Sequence, residues 1–280
     1  MDIKVYVVSA FSKEGRGGNR SGVVFNESIL TKEQKIAISN QLGYSETVFV
    51  SDSEVADYRL EYFTPTEEVD LCGHATIGFF VLLMHLGMDE KTTYQIETKS
   101  GILLITLNEG LVFMEQNNPI YYEEVEIQDL ATSFDISKID TNDAIRIVST
   151  GLKDMLVPIK SGELQNIIPN FEAIASVSQQ YDVVGLHLYE MVENHIICRN
   201  FAPRYDINEE AATGTSNGAL ACYLYEMNRL QQSSYRFNQG ESLGLPSEIQ
   251  VTLTTDDENK VTRVNVGGRG YFEEIKYIKI

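Results

Sequence analysis

Two stretches, RLEYFTPTEEVDLCGHAT at residues 59–76 and RNFAPRYDINEEAATGTS at residues 199–216, decide how this chain is read. Each opens on a strand-like run, passes a proline and an acidic loop, and ends in a turn of small residues. The first turn, Cys72-Gly73-His74-Ala75-Thr76, leads into IGFFVLLMHLG. The second, Ala212-Thr213-Gly214-Thr215-Ser216, leads into NGALACYLYEMN. One order of elements occurring twice points to a duplicated unit with pseudo-twofold symmetry. The first helix is apolar almost all round, which on a soluble chain means burial within a sheet or barrel.

Strand patterns surround these units at Ile3–Ser9, Gly22–Phe25, Thr47–Ser51, Tyr58–Phe63, Tyr94–Thr98, Ile102–Asn108 and Leu111–Gln116. They return at Ile145–Ser149, Met155–Ile159, Val183–Leu188 and Ile196–Phe201, and again between Ser234 and Lys276. Thr31 is predicted to cap a helix that Gly43 ends, with Gln34 completing a capping box. A small helix is expected near Asn170–Gln179, and residues 202–215 read as a loop. Many strands with few helices make the fold α+β, and the lack of regular βα alternation argues against a Rossmann sheet. The polar stretch Asn117–Glu124, with Pro119, marks a boundary between domains 1–117 and 118–280. The terminal strand has the length to cross back to the first domain.

The chain has 280 residues with 22 Lys+Arg against 41 Asp+Glu, a formal charge of −19. Such a surface repels phosphate backbones and anionic headgroups, and no basic patch offsets it, so neither nucleic acid nor membrane is an expected partner. Three cysteines without CxxC spacing argue against a disulfide framework or a structural zinc site, and no metal is expected. The N-terminal MDIKVYVVSAF reads as a first strand and not as a signal peptide, which predicts a cytoplasmic protein.

The two turns suggest chemistry. Free N–H groups and the positive end of a helix dipole meet at each, so each suits a carboxylate or phosphate. Singly, Gly73 or Gly214 reads as a residue that permits a tight turn. As a pair at matching places, facing each other across a cleft, they would grip a small anionic substrate from both sides. His74 lies inside the first turn, where it can donate to a substrate carboxylate or shuttle a proton. The other histidines, His85, His187 and His195, lie in apolar or undistinguished surroundings. Glu46 precedes the core-like run Val48-Phe49-Val50, and a carboxylate held against such a wall is desolvated toward the range useful for proton transfer. Cys198 and Cys222 read as core packing, whereas Cys72 stands at a helix start that favours thiolate. No HExxH or EF-hand loop is present.

With these residues in hand, the chain resembles the phenazine-biosynthesis PhzF-like family of the diaminopimelate-epimerase-like superfamily. The matches run in order: Gly18-Asn19, Ser45-Glu46-Thr47-Val48-Phe49, Phe63-Thr64-Pro65, Cys72-Gly73-His74-Ala75-Thr76, Arg199-Asn200-Phe201-Ala202-Pro203, Glu209 through Thr215, Gln239-Gly240 and Pro246-Ser247. The resemblance implies two similar domains, each a β-barrel-like sheet around a central helix, with the active site in the cleft between them. It implies cofactor-independent proton transfer with Glu46 as acid and base. Substrate contacts are implied at Gly18, Asn19, Gly73, His74, Ala75, Gly214 and Thr215, and a homodimer is common in the family. Glu210 stands where the family usually has an aspartate thought to assist at the site. Arg20 replaces a proline, adding either an anion contact or a surface charge.

The superfamily's epimerases use two cysteines, one at each helix start. Cys72 matches the first position, but Thr213 occupies the second, and a threonine hydroxyl does not titrate near neutrality. The expected function is therefore a one-carboxylate isomerase of a small anionic substrate. The alternatives are a racemase or epimerase acting through Cys72, and a non-catalytic small-molecule binding protein.

Overall fold

The computed structural model describes residues 2–26, 30–193 and 195–280. The chain divides into two compact units, Met1–Glu115 with Gly267–Ile280, and Gln116–Val266. In the first unit, β1 (Asp2–Ala10) and β2 (Asn19–Phe25) precede α1 (Lys32–Leu42). Next come β3 (Thr47–Ser51), β4 (Tyr58–Phe63), β5 (Glu68–Val69), α2 (Gly73–His85), β6 (Thr93–Thr98), β7 (Gly101–Asn108) and β8 (Leu111–Gln116). The chain continues through β9 (Ile120–Val125), β10 (Ile145–Ser149), β11 (Lys153–Ile159), α3 (Phe171–Gln180), β12 (Leu186–Val192) and β13 (His195–Ala202). Then follow β14 (Ile207–Glu210), α4 (Gly214–Glu226), β15 (Ser234–Gln239), β16 (Ser247–Thr255), β17 (Val261–Gly268) and β18 (Gly270–Lys279). The class is α+β.

The duplication read from the two quoted stretches holds at the level of strand pairing. In the first unit β1 runs antiparallel to β2, β2 parallel to β3 across α1, and β3 antiparallel to β4. There β4 pairs antiparallel with β5 and parallel with β6, which turns back into β7. In the second unit β10, β11, β12 and β13 repeat this order across α3, with one parallel pair between antiparallel ones. There β13 pairs antiparallel with β14 and parallel with β15, which turns back into β16. Each unit also covers its first strand with one more, β18 on β1 and β9 on β10.

The two apolar helices fill the middle of their units. Every residue from His74 to Leu83 of α2 and from Ser216 to Leu224 of α4 is buried. Burial on all sides requires partners on all sides, and α2 packs on β1, β2, β3 and β18 while α4 packs on β10, β11 and β16. The outer helix α1 has the predicted reciprocal cap: Gln34 N–H donates to Thr31 Oγ1 at 3.3 Å and Thr31 N–H donates to Gln34 Oε1 at 2.9 Å. Gly43 ends it with φ 70°, a conformation glycine adopts without a Cβ clash.

Local structure adds to one expectation and corrects two others. The stretch 117–124, expected as a domain boundary, contains most of the strand Ile120–Val125. Tyr121 and Tyr122 lie under Arg146 and Lys153, which pins this polar stretch to the unit. The strand expected at 183–188 starts at Leu186, because Val183 and Val184 donate their N–H groups to Ser178 O and Lys153 O instead. The loop 202–215 contains β14, paired with β13. Among the described residues no helix is long and apolar enough to cross a membrane.

Candidate active site

In the first unit, α1 ends at Gly43 and the chain passes through Tyr44 and Ser45 to Glu46, directly before β3. Gly22 N–H of β2 donates to the Glu46 carbonyl at 3.4 Å, tying this corner to the sheet. Cys72 is the N-cap of α2 in extended conformation, φ −139° and ψ 115°, and its side chain makes no cap bond. Thr76 Oγ1 donates back to Cys72 O at 2.7 Å and is itself 2.6 Å from Tyr62 Oη. Since the threonine proton is committed to Cys72 O, the tyrosine is the donor of that second contact.

This turn brings three candidate side chains together. His74 Nε2 lies 3.3 Å from Glu46 Oε2 and 3.4 Å from Ser45 Oγ, and His74 Nδ1 lies 3.4 Å from Cys72 Sγ. The His74 side chain is 7% exposed and that of Glu46 17%. Glu46 Oε2 is buried and meets hydrogen-bond geometry with no partner. The sequence reading expects no metal, yet one donor atom from each of Glu46, Cys72 and His74 lies within 4.8 Å of the other two.

The second unit builds its turn differently. Thr213, the N-cap of α4, also makes no side-chain cap bond to its helix, because Thr213 Oγ1 donates to Glu210 Oε2 at 2.7 Å. Gln239 braces the turn: its Oε1 accepts from Thr213 N–H at 3.2 Å and Asn217 Nδ2 at 2.9 Å, and its Nε2 donates to Glu210 O at 2.8 Å. Beneath, Asn200 Nδ2 reaches Ser216 Oγ at 3.1 Å, and Ser216 Oγ donates to Asp154 Oδ2 at 2.8 Å. His187 sits between Asn200 and Asn217, 3.2 and 3.3 Å away. Burial pushes the Asp154 carboxyl up to about 7, against the pull of the Ser216 hydroxyl. Burial likewise pushes the His187 imidazole down to about 4, against the pull of Asn217.

A contrast in capping separates the helices. The outer helices are closed by side chains, α1 by Thr31 and α3 by Asn170, whereas the central helices α2 and α4 are not. Their first N–H groups are left for something other than a cap.

Other predicted residues fall where the fold needs them. Gly18 has φ +83°, and a Cβ there would lie 2.4 Å from Ala10 O, so this position demands glycine. Asn19 is buried at the start of β2. Arg20 Nε donates to both oxygens of Glu273 at 2.9 Å, so its charge is engaged within the unit. Ala75 is buried in α2. Cys198 and Cys222 are core residues, and burial raises both thiols, Cys222 to about 12. His85 stacks on Phe272, and His195 is exposed.

Sequence reasoning missed the second turn's foundation. His187 is a buried link and not an undistinguished residue, and Asp154 carried no motif at all. Arg199 and Glu209, quoted only as motif letters, form a buried fork with paired bonds of 2.8 Å. Arg199 also donates to Leu164 O and Ile167 O. Asn200 and Gln239, both inside matched motifs, were the available signal.

The model of the phenazine biosynthesis-like protein family matches residues 8–274. The chain belongs to that family. A Bacillus subtilis relative named uncharacterized isomerase YfhB is 29% identical over 293 residues, spanning 100% of this chain and 99% of its own. The crystal structure of a Bacillus anthracis phenazine biosynthesis protein of the PhzF family superposes with TM-score 0.91 at 29% identity, covering 100% of both chains. A hydroxyproline epimerase from Agrobacterium vitis, at 14% identity and TM-score 0.66, covers 99% of this chain and 91% of its own. That likeness concerns the fold alone, which is diaminopimelate-epimerase-like. By the names of its curated relatives this is an isomerase family.

Proposed function

We propose that the chain is a cofactor-independent isomerase that moves a proton on a small carboxylate-bearing substrate, with Glu46 as acid and base. The observation that carries this reading is the buried Glu46 Oε2, 3.3 Å from His74 Nε2 and satisfied by no hydrogen bond, beside the uncapped start of α2. A substrate carboxylate takes the N–H groups of Gly73, His74 and Ala75, where the helix dipole favours negative charge. Glu46 removes a proton from carbon, the electron pair enters the conjugated framework, and the Glu46 carboxyl, whose proton exchanges with solvent, protonates another carbon. His74 steadies the negative charge that develops between the two steps.

Gly214 and Thr215 offer the same kind of uncapped backbone at the start of α4, and Gly18 and Asn19 are further substrate contacts on the family match. Glu210 assists by position: it accepts from Thr213 Oγ1 and so sets the backbone that precedes Gly214. The test is solvent exchange. In deuterated buffer the protein should wash deuterium into carbon of candidate amino acids and related carboxylates, followed by NMR, and Glu46→Gln should stop it. Undiminished exchange in that variant removes Glu46 from the role.

A second reading has its own observation. Cys72 Sγ lies 3.4 Å from His74 Nδ1, an arrangement that suits a thiolate base in a racemase or epimerase. It predicts inversion at a stereocentre and loss of activity on alkylation or in Cys72→Ala. Against it stands Thr213, whose hydroxyl proton is committed to Glu210. Tight ligand binding without any exchange would instead mark a non-catalytic binding protein.

A further inference from the structure

We propose that Glu46, Cys72 and His74 form a binding site for a borderline-soft divalent cation, with Zn2+ the best match, and that its occupancy switches the enzyme off. The three donors are a carboxylate oxygen, a thiol sulfur and an imidazole nitrogen, all within the first unit. His74 Nε2 is 3.3 Å from Glu46 Oε2 and 3.9 Å from Cys72 Sγ, and one donor atom from each of the three residues lies within 4.8 Å of the other two. Tetrahedral zinc with bonds of about 2.0–2.3 Å has donor-to-donor edges of roughly 3.3–3.7 Å. Two edges of the triangle are therefore already close to length, and the third is within 4.8 Å.

The donor chemistry selects the ion. Thiolate with imidazole prefers zinc over magnesium or calcium, which look for oxygen alone. The start of α2 opposes a cation, but thiolate and carboxylate together supply two negative charges against the ion's two positive ones. On binding, Cys72 gives up its thiol proton to solvent and no redox change occurs. Glu46 Oε2, buried without a hydrogen bond, gains the partner it lacks. Three protein donors leave a fourth position open for water or a substrate carboxylate.

Occupancy ties up the lone pairs of Glu46 and His74, so the metal and the proton transfer compete for the same atoms. Binding itself does not depend on the isomerase reading; only the inhibition does.

The experiment uses metal-stripped full-length protein titrated with Zn2+ by calorimetry and, in parallel, with Co2+ by absorption. The expected result is one Zn2+ per chain and, with cobalt, tetrahedral visible bands together with a thiolate-to-cobalt charge-transfer band. Cys72→Ala should lose that band and bind Zn2+ more weakly by on the order of 100-fold. A circular dichroism spectrum like the wild type's keeps that comparison valid, and Cys72→Ser serves if the alanine variant does not fold. Absence of the charge-transfer band in folded wild-type protein overturns the site, as does equal zinc affinity in the Cys72 variant. In the exchange assay one equivalent of Zn2+ should stop deuterium incorporation and a chelator should restore it. Full exchange at saturating zinc overturns the switch. An intact cobalt spectrum in a protein that exchanges no carboxylate counts against the isomerase reading and leaves the metal site standing.

Discussion

The turns at Cys72-Gly73-His74 and Thr213-Gly214-Thr215 stand at the same point of the same series of elements, yet they are supported in opposite ways. Around the second, buried polar side chains are linked donor to acceptor, from Asp154 through Ser216 and Asn200 to His187, Asn217 and Gln239. Around the first, a buried carboxylate oxygen has no hydrogen bond, and the imidazole contacts run from 3.3 to 3.9 Å. A satisfied network rigidifies, and an unsatisfied one stores the groups that act. One turn is thus held by a closed polar network, and the other keeps an open carboxylate oxygen where the proposed chemistry would take place.

The sharpest way to break this contrast is to remove the buried cation beneath the second turn. Arg199→Met leaves the buried Glu209 carboxylate without its cation, still accepting from Ser242 Oγ, and also strips donors from Leu164 O and Ile167 O. Losing one partner of such a pair costs about 3–5 kcal/mol. Urea denaturation should register that loss, and a change below about 1 kcal/mol, the worth of a surface pair, would contradict a structural role.

The next effect is in pH. Asp154 is held up at about 7 in the folded state against an ordinary 3.8. The stability it contributes is full below pH 3.8 and is given up as pH climbs toward 7. His187 is held down at about 4 against 6.5, so its contribution is full above 6.5 and is given up as pH falls toward 4. The two swings, on the order of 4 and 3 kcal/mol, run in opposite directions over the same window and largely cancel. Stability curves for single variants should separate them. Asp154→Asn should gain on the wild type as pH rises from 4 to 7, and His187→Gln should lose ground over the same rise. Two variants that track the wild type in parallel would remove both groups from the balance.

The smallest effect serves as the control. Thr31→Ala opens the capping box of α1 and should cost about 1 kcal/mol. It should leave isotope exchange unchanged, since α1 is the kind of helix whose N–H groups are already used. A loss of exchange matching that of Glu46→Gln would erase the distinction between capped and uncapped helices.

What could be read from residues follows the same contrast. The strands and the two central helices are written in local pattern, with a β-branched apolar run for β3, alternation for β4 and apolar runs for α2 and α4. The cap of α1 was legible to the atom, because Thr31, Gln34 and Gly43 act through near neighbours. Glu46 and His74, which the fold brings to 3.3 Å, were singled out by their places beside a core strand and inside a helix turn. Asp154, His187 and the Arg199–Glu209 fork were not found, because their partners are distant in sequence: Asp154 and Ser216 are 62 residues apart. A buried polar network has no periodicity, and only folding brings its members together. The strand at residues 120–125 was not read for a related reason: a polar strand is held by its ladder and by cations over its tyrosines, not by apolar alternation.

The central claim is that proton transfer lives at the first turn and that Glu46 performs it. Deuterium incorporation into the substrate carbon, measured side by side for the wild type, Glu46→Gln and Glu210→Gln, tests it most directly, with thermal melting of each. The account predicts that Glu46→Gln folds at least as stably as the wild type, since it removes an unsatisfied buried carboxylate, and exchanges at background rate. Glu210→Gln should retain exchange at a reduced rate, because it disturbs only the positioning of Thr213. Exchange that survives in Glu46→Gln and vanishes in a folded Glu210→Gln would contradict the account.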